Sequence, residues 1–345
     1  LLNMNLILLI WKVNNFMSYE FLISKIQKNN FLLIGRAGVD IYPDPPGTKT
    51  ENANKYVTHL GGSSANMGVQ LTKYGGSCSL LTRISNDALG KFVLNQLDFY
   101  GVKNTLIKLE DNESRISFAI VESTTEDHQS IIYRHKAADL FLNKNDIENS
   151  NIQNYECILI TGTSLASEPS RSAVLYALEL AKENNIPVIM DIDYRPYTWE
   201  SADKAKQIYN LACDYCSGII GNDDEFAILS GSYESGFNYA KKKSKNCELV
   251  IYKMGEKGSI TFANNKEIKK GIFPVKPLKP TGAGDSFMGS LIGALLKNYD
   301  LQTAIEIGSA AAAIVVTRVG CAPAMPDLNE VLNFMKSNNI NKGDT

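Results

Sequence analysis

The sequence has few of the residues that build metal centres or disulfide frameworks. It contains three histidines and six cysteines in 345 residues, and the histidines, His59, His128 and His135, lack metal-ligand spacing. Cys213 and Cys216 form one CxxC pair with no second pair beside it, so we expect buried thiols and not a zinc site. Unpaired thiols in apolar segments are typical of a reducing, cytoplasmic setting.

Charge of one sign and long apolar runs are lacking as well. The formal net charge is −2 and the basic residues form no stripe, so we expect no nucleic-acid partner. The apolar start, residues 1–11, is too short to span a bilayer and has no signal-peptide cleavage site. We therefore predict a dispensable leader with Met17 as a candidate start, and no membrane partner; a weak anchor is the alternative.

Short β-rich runs alternate with helical patterns along most of the chain. This alternation predicts a doubly wound α/β fold, with a mostly parallel sheet and helices on both faces. Ligands then bind at the carboxyl ends of the strands. We divide the chain into a leader and N-terminal extension (1–30), one large domain (31–335) and a C-terminal tail (336–345).

Two segments break the alternation, at about 41–60 and 113–136. The first holds three prolines before a polar–apolar alternation, and the second resembles two alternating strands joined by a polar turn. We predict that they form a small β-sheet lid outside the main sheet; an antiparallel extension of the main sheet is the alternative. The apolar face of such a lid needs substrate or a second subunit against it, so a homodimer through the lid is also predicted.

The stretch PTGAGDSFMG places Gly282, Ala283 and Gly284 before Asp285 and a helical pattern. A helix N-terminus offers free backbone N–H groups to an anion, and glycines allow a phosphate to approach closely. An aspartate there can take a proton from a substrate hydroxyl. The alternative is a glycine-rich helix start that Asp285 caps. No GxxxxGK[ST] motif or protein-kinase signature is present, which excludes those two enzyme classes.

Two further motifs precede this stretch. In GGSSAN, Gly61 and Gly62 allow sugar hydroxyls to meet the backbone, and Asn66 adds a hydrogen-bonding side chain. NDDE follows a predicted strand at 222–225. With these motifs in this order, the chain resembles the PfkB, or ribokinase-like, family of carbohydrate kinases from about residue 31 to 326.

The resemblance implies a ribokinase-like fold, ATP and Mg²⁺ as cofactors, and K⁺ near the anion hole. It assigns the catalytic base to Asp285, and the anion hole to the backbone of Gly282–Asp285. Mg²⁺ would be held through water, as a hard cation that keeps its waters. It assigns ATP binding to Asn222, Glu225, Lys253, Gly255 and Gly258. Asn222 and Glu225 are also the positions that it assigns to Mg²⁺. For Lys253, Gly255 and Gly258, a plain hairpin is the alternative.

The segment DIDYRPYTW, 191–199, lies at a predicted strand end where substrate is expected. Several arginines surround the predicted pocket, and arginine pairs with carboxylates, so an acidic sugar is indicated. The segment is similar to the sugar-acid branch of the family, which implies 5-dehydro-2-deoxy-D-gluconate of myo-inositol breakdown as substrate, with 2-dehydro-3-deoxygluconate as the alternative. The predicted sugar-binding residues are Asp40, Gly61, Gly62, Asn66, Arg36, Arg115, Tyr133, Arg134, Asp193 and Arg195.

A different class of function is a non-catalytic sensor of sugar or nucleotide on the same fold. A sensor can lose the base, whereas this chain retains Asp285 with both glycines of the motif, which favours an enzyme. Among kinases, another member of the same family is the alternative, such as a nucleoside or fructose-phosphate kinase; the arginines and the DIDYRP segment disfavour a nucleoside as substrate.

Overall fold

A nine-stranded sheet forms the centre of the computed structural model, which describes residues 18–111 and 113–340. Its strands are β1 (Phe31–Ile34), β4 (Cys78–Ser85), β5 (Ile107–Glu110), β8 (Cys157–Thr161), β9 (Val188–Asp191), β10 (Gly218–Asn222), β11 (Leu249–Lys253), β12 (Ser259–Ala263) and β13 (Lys266–Lys270). The strand order is β13-β12-β11-β10-β9-β8-β1-β4-β5. Neighbours from β11 to β5 run parallel, and β12 and β13 are antiparallel.

Helices cover both faces of this sheet. Side chains alternate between faces along a strand, so Phe31 and Leu33 pack in one apolar cluster while Leu32 and Ile34 pack in the other. Strands buried on both faces read as continuous apolar runs, and the predicted fold class is confirmed. The first cluster holds helices α1 (Tyr19–Gln27), α2 (Ser63–Lys73), α3 (Ala88–Tyr100), α9 (Ala283–Leu296), α10 (Leu301–Val316) and α11 (Leu328–Ser337), and the second holds α4 (Lys144–Asn149), α5 (Ser170–Glu183), α6 (Ala202–Cys213), α7 (Asp223–Ser230) and α8 (Tyr233–Lys243).

A second, four-stranded sheet lies apart from the first. Its strands are β2 (Gly38–Pro43), β3 (Tyr56–Gly61), β6 (Ser117–Val121) and β7 (Ser130–Tyr133), in the order β3-β2-β6-β7. β2 pairs with β6 in parallel, and the other two pairs are antiparallel. The predicted lid is therefore present as a separate small sheet, and its alternative as an extension of the main sheet is wrong.

The register gives this lid two different faces. Directly paired residues share a face, so Ile41, Ile120 and Ile131 lie on one side. Asp40 belongs to the opposite side, because neighbours along a strand alternate. The lid thus carries an acidic group on one face and an apolar row on the other.

The N-terminal part of the described chain belongs to the core. Helix α1 buries Leu22 and Ile26, and Ser18 caps its start by accepting a hydrogen bond from the Phe21 N–H. Met17 and the rest of 1–17 lie outside the described residues, as do 341–345. Across the described ranges, no helix is both long and apolar enough to cross a membrane. The six cysteines are buried free thiols, as expected.

Candidate active site

The GAGD motif forms the start of helix α9. Gly282 is the N-cap, at φ +85°, and a Cβ there would lie 2.9 Å from the Cys321 sulfur and 3.1 Å from Val315 Cγ1. Glycine is therefore required both for the backbone conformation and for space. No described side chain caps this helix start, and Asp285 lies inside the first turn. Its first-turn N–H groups consequently face the site without a side-chain partner.

The Asp285 carboxylate is tied to the GGSSAN motif. Asn66 Nδ2 donates a hydrogen bond to Asp285 Oδ2 at 2.9 Å, and the buried Asn66 Oδ1 has no protein partner among the described residues. Burial raises the pKa of Asp285 to about 7; the nearby Asp193 adds to the rise and the Asn66 hydrogen bond opposes it. A carboxylate with a near-neutral pKa at an anion-binding helix start is suited to proton transfer.

The paired glycines make room for Asp40. A Cβ on Gly61 would lie 2.1 Å from Asp40 Oδ1, and one on Gly62 would lie 2.4 Å from the Arg36 carbonyl oxygen. The buried Asp40 Oδ1 has no hydrogen-bond partner among the described residues, and burial raises the pKa of this carboxyl against the opposing charge of Arg36. An unsatisfied buried oxygen is costly, so Asp40 is positioned to accept a ligand hydroxyl.

Asp193 is held at the end of the DID segment, at φ +41°. Its Oδ2 accepts a hydrogen bond from Ser63 Oγ at 2.6 Å, and its Oδ1 lies 2.7 Å from Arg195 Nη2. Burial alone would raise the pKa of Asp193, but the Arg195 guanidinium and the Ser63 hydroxyl outweigh it and lower the pKa. Asp193 therefore stays charged and links the start of α2 to Arg195.

Three arginines line one small cleft, which we call the arginine cleft. Arg134 is buried and occupied by protein groups, because its Nε donates to Asp139 and its Nη1 to the Thr163 carbonyl at 2.8 Å. Arg195 pairs with Asp193 and donates to the Tyr194 carbonyl at 3.2 Å, but its side chain is 45% exposed. The residues that line the arginine cleft are Arg36, Ile132, Arg134, Thr163, Asp193, Arg195, Tyr197 and Thr198.

Two predicted sugar-binding residues lie elsewhere. Arg115 and Tyr133 line a neighbouring outer cleft with Asp87 and His135, and Tyr133 is 57% exposed. The structure does not bring them to the arginine cleft, although Arg134 borders both clefts.

The NDDE motif forms a helix cap as well as a candidate ligand site. Asn222 Oδ1 accepts a hydrogen bond from the Glu225 N–H at 2.8 Å, and Glu225 Oε2 accepts one from the Asn222 N–H at 2.7 Å. This capping box starts helix α7. Glu225 Oε1 accepts a further bond from the Tyr194 N–H. Burial raises the pKa of Glu225 to about 7, with Asp191 adding to the rise and Lys253 opposing it.

Lys253 ends β11 beside the GAGD turn. Its Nζ lies 3.9 Å from Asp191 Oδ2. A Cβ on Gly284 would lie 3.6 Å from the same Lys253 Nζ. Burial would lower the pKa of Lys253, but the charges of Asp191, Glu225 and Asp285 raise it. A positive charge therefore lies beside the start of helix α9.

The two glycines after Lys253 form the turn between β11 and β12. A Cβ on Gly258, at φ +86°, would lie 2.0 Å from the Lys270 carbonyl oxygen, whereas one on Gly255, at φ +56°, would meet open space. The hairpin alone thus accounts for Gly258. A role of this turn beside ATP stays a prediction.

The described residues offer no metal cage of their own, since no three His, Cys, Asp or Glu side chains are grouped to hold an ion. Both Glu225 oxygens already accept backbone N–H groups. This donor set fits Mg²⁺ that is coordinated mainly by phosphate and water and reached by Glu225 and Asn222 through water.

Sequence reasoning missed several groups that complete the site. Asp191 lies in the DIDYRPYTW segment and Ser63 in the GGSSAN motif. Their closeness in sequence to Asp193 and Asn66 could have identified them. Thr163, whose Oγ1 lies 3.3 Å from Asp193 Oδ2, and the fully buried Lys279 carry no motif signal.

Comparisons with known proteins identify the family of this chain. The pfkB family carbohydrate kinases match residues 28–328. A relative named 5-dehydro-2-deoxygluconokinase, from Photobacterium profundum, is 33% identical over 312 residues, which cover 89% of this chain and 94% of the relative.

Solved structures show the same fold. A fructokinase from Vibrio cholerae O395, crystallised with fructose, ADP and a potassium ion, superposes with a TM-score of 0.79 at 24% identity, covering 89% of this chain and 98% of that one. An aminoimidazole riboside kinase from Salmonella enterica, in complex with aminoimidazole riboside and an ATP analogue, gives 0.74 at 25% identity, covering 88% and 99%. The resemblance drawn from the motifs is confirmed, and the chain belongs to the pfkB family of carbohydrate kinases.

Proposed function

We propose that this kinase transfers the γ-phosphoryl group of ATP to the 6-hydroxyl of 5-dehydro-2-deoxy-D-gluconate, in the cytoplasmic breakdown of myo-inositol. The observation that carries the proposal is the Asn66–Asp285 hydrogen bond of 2.9 Å at the start of α9, close to the arginine cleft. A base, an anion site and an arginine cleft for a carboxylate are what phosphorylation of a sugar acid requires. The names of the relatives support the same substrate.

In the proposed reaction, the Asp285 carboxylate takes the proton of the substrate 6-hydroxyl while the hydroxyl oxygen attacks the γ-phosphorus of ATP. The new O–P bond forms in line with the breaking bond, and ADP leaves with that bond's electron pair. The backbone N–H groups of Gly282, Ala283 and Gly284, with the Lys253 ammonium, stabilise the charge on the transferred group. Positioning supplies much of the acceleration.

ATP and Mg²⁺ are the proposed cofactors. When bound, Mg²⁺ neutralises phosphate charge. Asn222 and Glu225 would hold it through water, and the backbone of Asn222 and Tyr194 fixes Glu225 for this role.

At the sugar-binding part of the site, Arg195 and Arg36 bind the substrate carboxylate, and Asp40 and Asn66 accept hydrogen bonds from sugar hydroxyls. Arg36 is held by a hydrogen bond of 2.9 Å to Ser117 Oγ, so one end of its guanidinium is already oriented. The open oxygens of Asp40 and Asn66 are the acceptors that a hydroxyl-rich substrate would satisfy. The same groups suit 2-dehydro-3-deoxygluconate, which is the alternative substrate.

A sugar or nucleotide sensor is the candidate from another class. The site disfavours it, because a sensor has no need to hold a carboxylate with a pKa of about 7 against the phosphate-binding turn.

We also propose a homodimer that forms through the lid. We call the side of the lid opposite Asp40 its outer face. The strand register places these residues on that face: Ile41, Phe118, Ile120, Ile131 and Tyr133. Ile131 and Tyr133 are 40% and 57% exposed, and a second copy of the chain would cover them.

The role of Arg195 tests the sugar-acid assignment. Loss of the guanidinium in Arg195→Gln should raise the KM for the sugar acid about 10- to 100-fold, because a charged hydrogen bond to carboxylate contributes roughly 1.5–3 kcal/mol. The KM for ATP should stay within about twofold. Both KM values should also stay within about twofold in the control Arg318→Gln, whose side chain is 40% exposed and does not line the cleft. An unchanged KM for the sugar acid in Arg195→Gln would contradict the assignment.

A further inference from the structure

Lys279 is a buried charge that the proposed mechanism leaves unused. The residue is 0% exposed and is one of the largest fully buried side chains in the described chain. It precedes the GAGD turn directly, in the segment KPTGAGD. Fully buried lysines are rare unless they have partners, so this position calls for a specific role.

The ammonium of Lys279 connects two backbone segments behind the anion hole. Its Nζ donates to the Thr281 carbonyl at 2.6 Å and to the Val315 carbonyl at 3.5 Å. Thr281 adjoins the N-cap Gly282, and Val315 lies in the last turn of α10. A cation at the carboxyl end of a helix is favourable, and here it also holds the phosphate-binding turn.

Three titratable groups influence this ammonium electrostatically. The nearby titratable groups are Cys321, Asp285 and Asp40. Burial lowers the pKa of Lys279, while these three groups oppose the decrease. The charge of Lys279 therefore lies within electrostatic range of both Asp285 and Asp40, while its hydrogen bonds go to the backbone.

Backbone carbonyls converging on one point form the kind of site that binds a potassium ion. The sequence resemblance implies K⁺ near this anion hole, and the Vibrio cholerae fructokinase was crystallised with potassium. In this chain the carbonyl oxygens of Thr281 and Val315 already accept hydrogen bonds from an ammonium. The residues present therefore do not fit a bound K⁺ at this position.

We propose that Lys279 acts as an internal cation which holds the GAGD turn and makes this kinase independent of monovalent cations. Lys279 is then a positioning residue: it acts through the turn and through Asp285, without touching substrate. The proposal rests on membership of the pfkB family and not on the identity of the sugar.

The wild-type enzyme provides the first test. Initial rates are measured with saturating ATP and acceptor in tetramethylammonium chloride and again after equimolar replacement by KCl. The proposal predicts rates that agree within about twofold, since no site is left to fill. Activation of about tenfold or more by K⁺ would overturn it.

Variants provide the second test. Lys279→Ala removes the ammonium and leaves space for an ion, and kcat should fall roughly 10²-fold, the loss typical for one preorganised electrostatic group. K⁺ or methylammonium should restore part of this loss, mainly in kcat. The matched control is Lys276→Ala, an exposed lysine three positions earlier, which should behave as the wild type.

A third readout requires no sugar acceptor. The melting temperature of the ADP-bound Lys279→Ala protein should rise when KCl replaces tetramethylammonium chloride, and that of the wild type should not. The proposal would be overturned if Lys279→Ala folds but K⁺ does not raise its melting temperature and neither K⁺ nor methylammonium restores its kcat. If the variant does not fold, the wild-type comparison decides alone. If neither sugar acid is turned over, the ADP-bound melting curves still test Lys279 separately from the proposed substrate.

Discussion

At the scale of single residues, the site depends on carboxylates whose surroundings separate their pKa values. Asp285 and Glu225 have pKa values raised to about 7, whereas Asp193, paired with Arg195, has a lowered pKa. Sequence motifs predicted Asp285 and Asn66 as site residues. They could not predict the hydrogen bond between them, because it joins positions 219 residues apart that only the fold brings together.

The pH dependence of the rate follows from Asp285. A base must be ionised, and the pKa of Asp285 is raised above the usual value of an aspartate, so kcat/KM should fall as pH decreases through about 7. The pKa of Glu225 is also raised to about 7. The apparent pKa read from the pH profile therefore belongs to Asp285 and Glu225 together and not to one residue. In Asn66→Ala, loss of the hydrogen bond that favours the ionised form should move this limb upward by about 0.5–1 pH unit.

Initial rates between about pH 5 and 9 provide the measurement for this prediction. Asn184→Ala, which alters an exposed asparagine at the end of α5, is the control and should leave the limb in place. A limb that does not move in Asn66→Ala would show that Asn66 does not tune the base.

At the scale of elements, the start of helix α2 has a backbone that only glycine fits without a clash. Gly62 and Gly47 both have positive φ, at +96° and +89°, but a Cβ would meet the Arg36 carbonyl oxygen at 2.4 Å only at Gly62; at Gly47 nothing lies within 4 Å. Gly47→Ala should therefore lower the free energy of unfolding by about 1 kcal/mol, the cost of the backbone conformation.

Gly62→Ala adds a clash with the backbone, so we expect a loss of about 3 kcal/mol and a higher KM for the sugar acid. Urea unfolding of the two variants and of the wild type, with KM measured in parallel, checks this. Equal effects of the two substitutions would mean that the space around Gly62 is not needed.

The NDDE segment shows, at the same scale, where motif reasoning is incomplete. The segment was interpreted through its resemblance to a ligand motif, yet Asn222 and Glu225 first serve as a reciprocal helix cap. An N-x-x-E spacing before an apolar run is itself a capping signal. One motif thus satisfies a local backbone requirement and holds a carboxylate at the site.

At the scale of the whole molecule, alternation of strands and helices was sufficient to predict the doubly wound sheet, and the two segments that break this alternation predicted the lid. Apolar periodicity reports burial, and burial on both faces of a parallel sheet follows from it. The positions of Arg115 and Tyr133 could not be predicted in this way, because strand alternation alone does not say which cleft a lid residue borders. The structure puts them on the outer cleft.

The proposed dimer is also tested at this scale. Ile131→Glu places a charge on the apolar outer face of the lid and should convert a dimer to a monomer, as measured by sedimentation or light scattering. Leu211→Glu is the matched control, because Leu211 is 44% exposed against 40% for Ile131 but lies on helix α6. A wild-type protein that is monomeric throughout would contradict the dimer.

We propose above that this chain is a sugar-acid kinase with Asp285 as its base. The most direct measurement is ADP release by the purified protein with 5-dehydro-2-deoxygluconate and 2-dehydro-3-deoxygluconate, compared side by side. We predict turnover of the first that falls about 10²- to 10⁴-fold in Asp285→Asn and is unchanged in Asp203→Asn, an exposed control. Turnover of neither acid, or full activity in Asp285→Asn, would contradict the account.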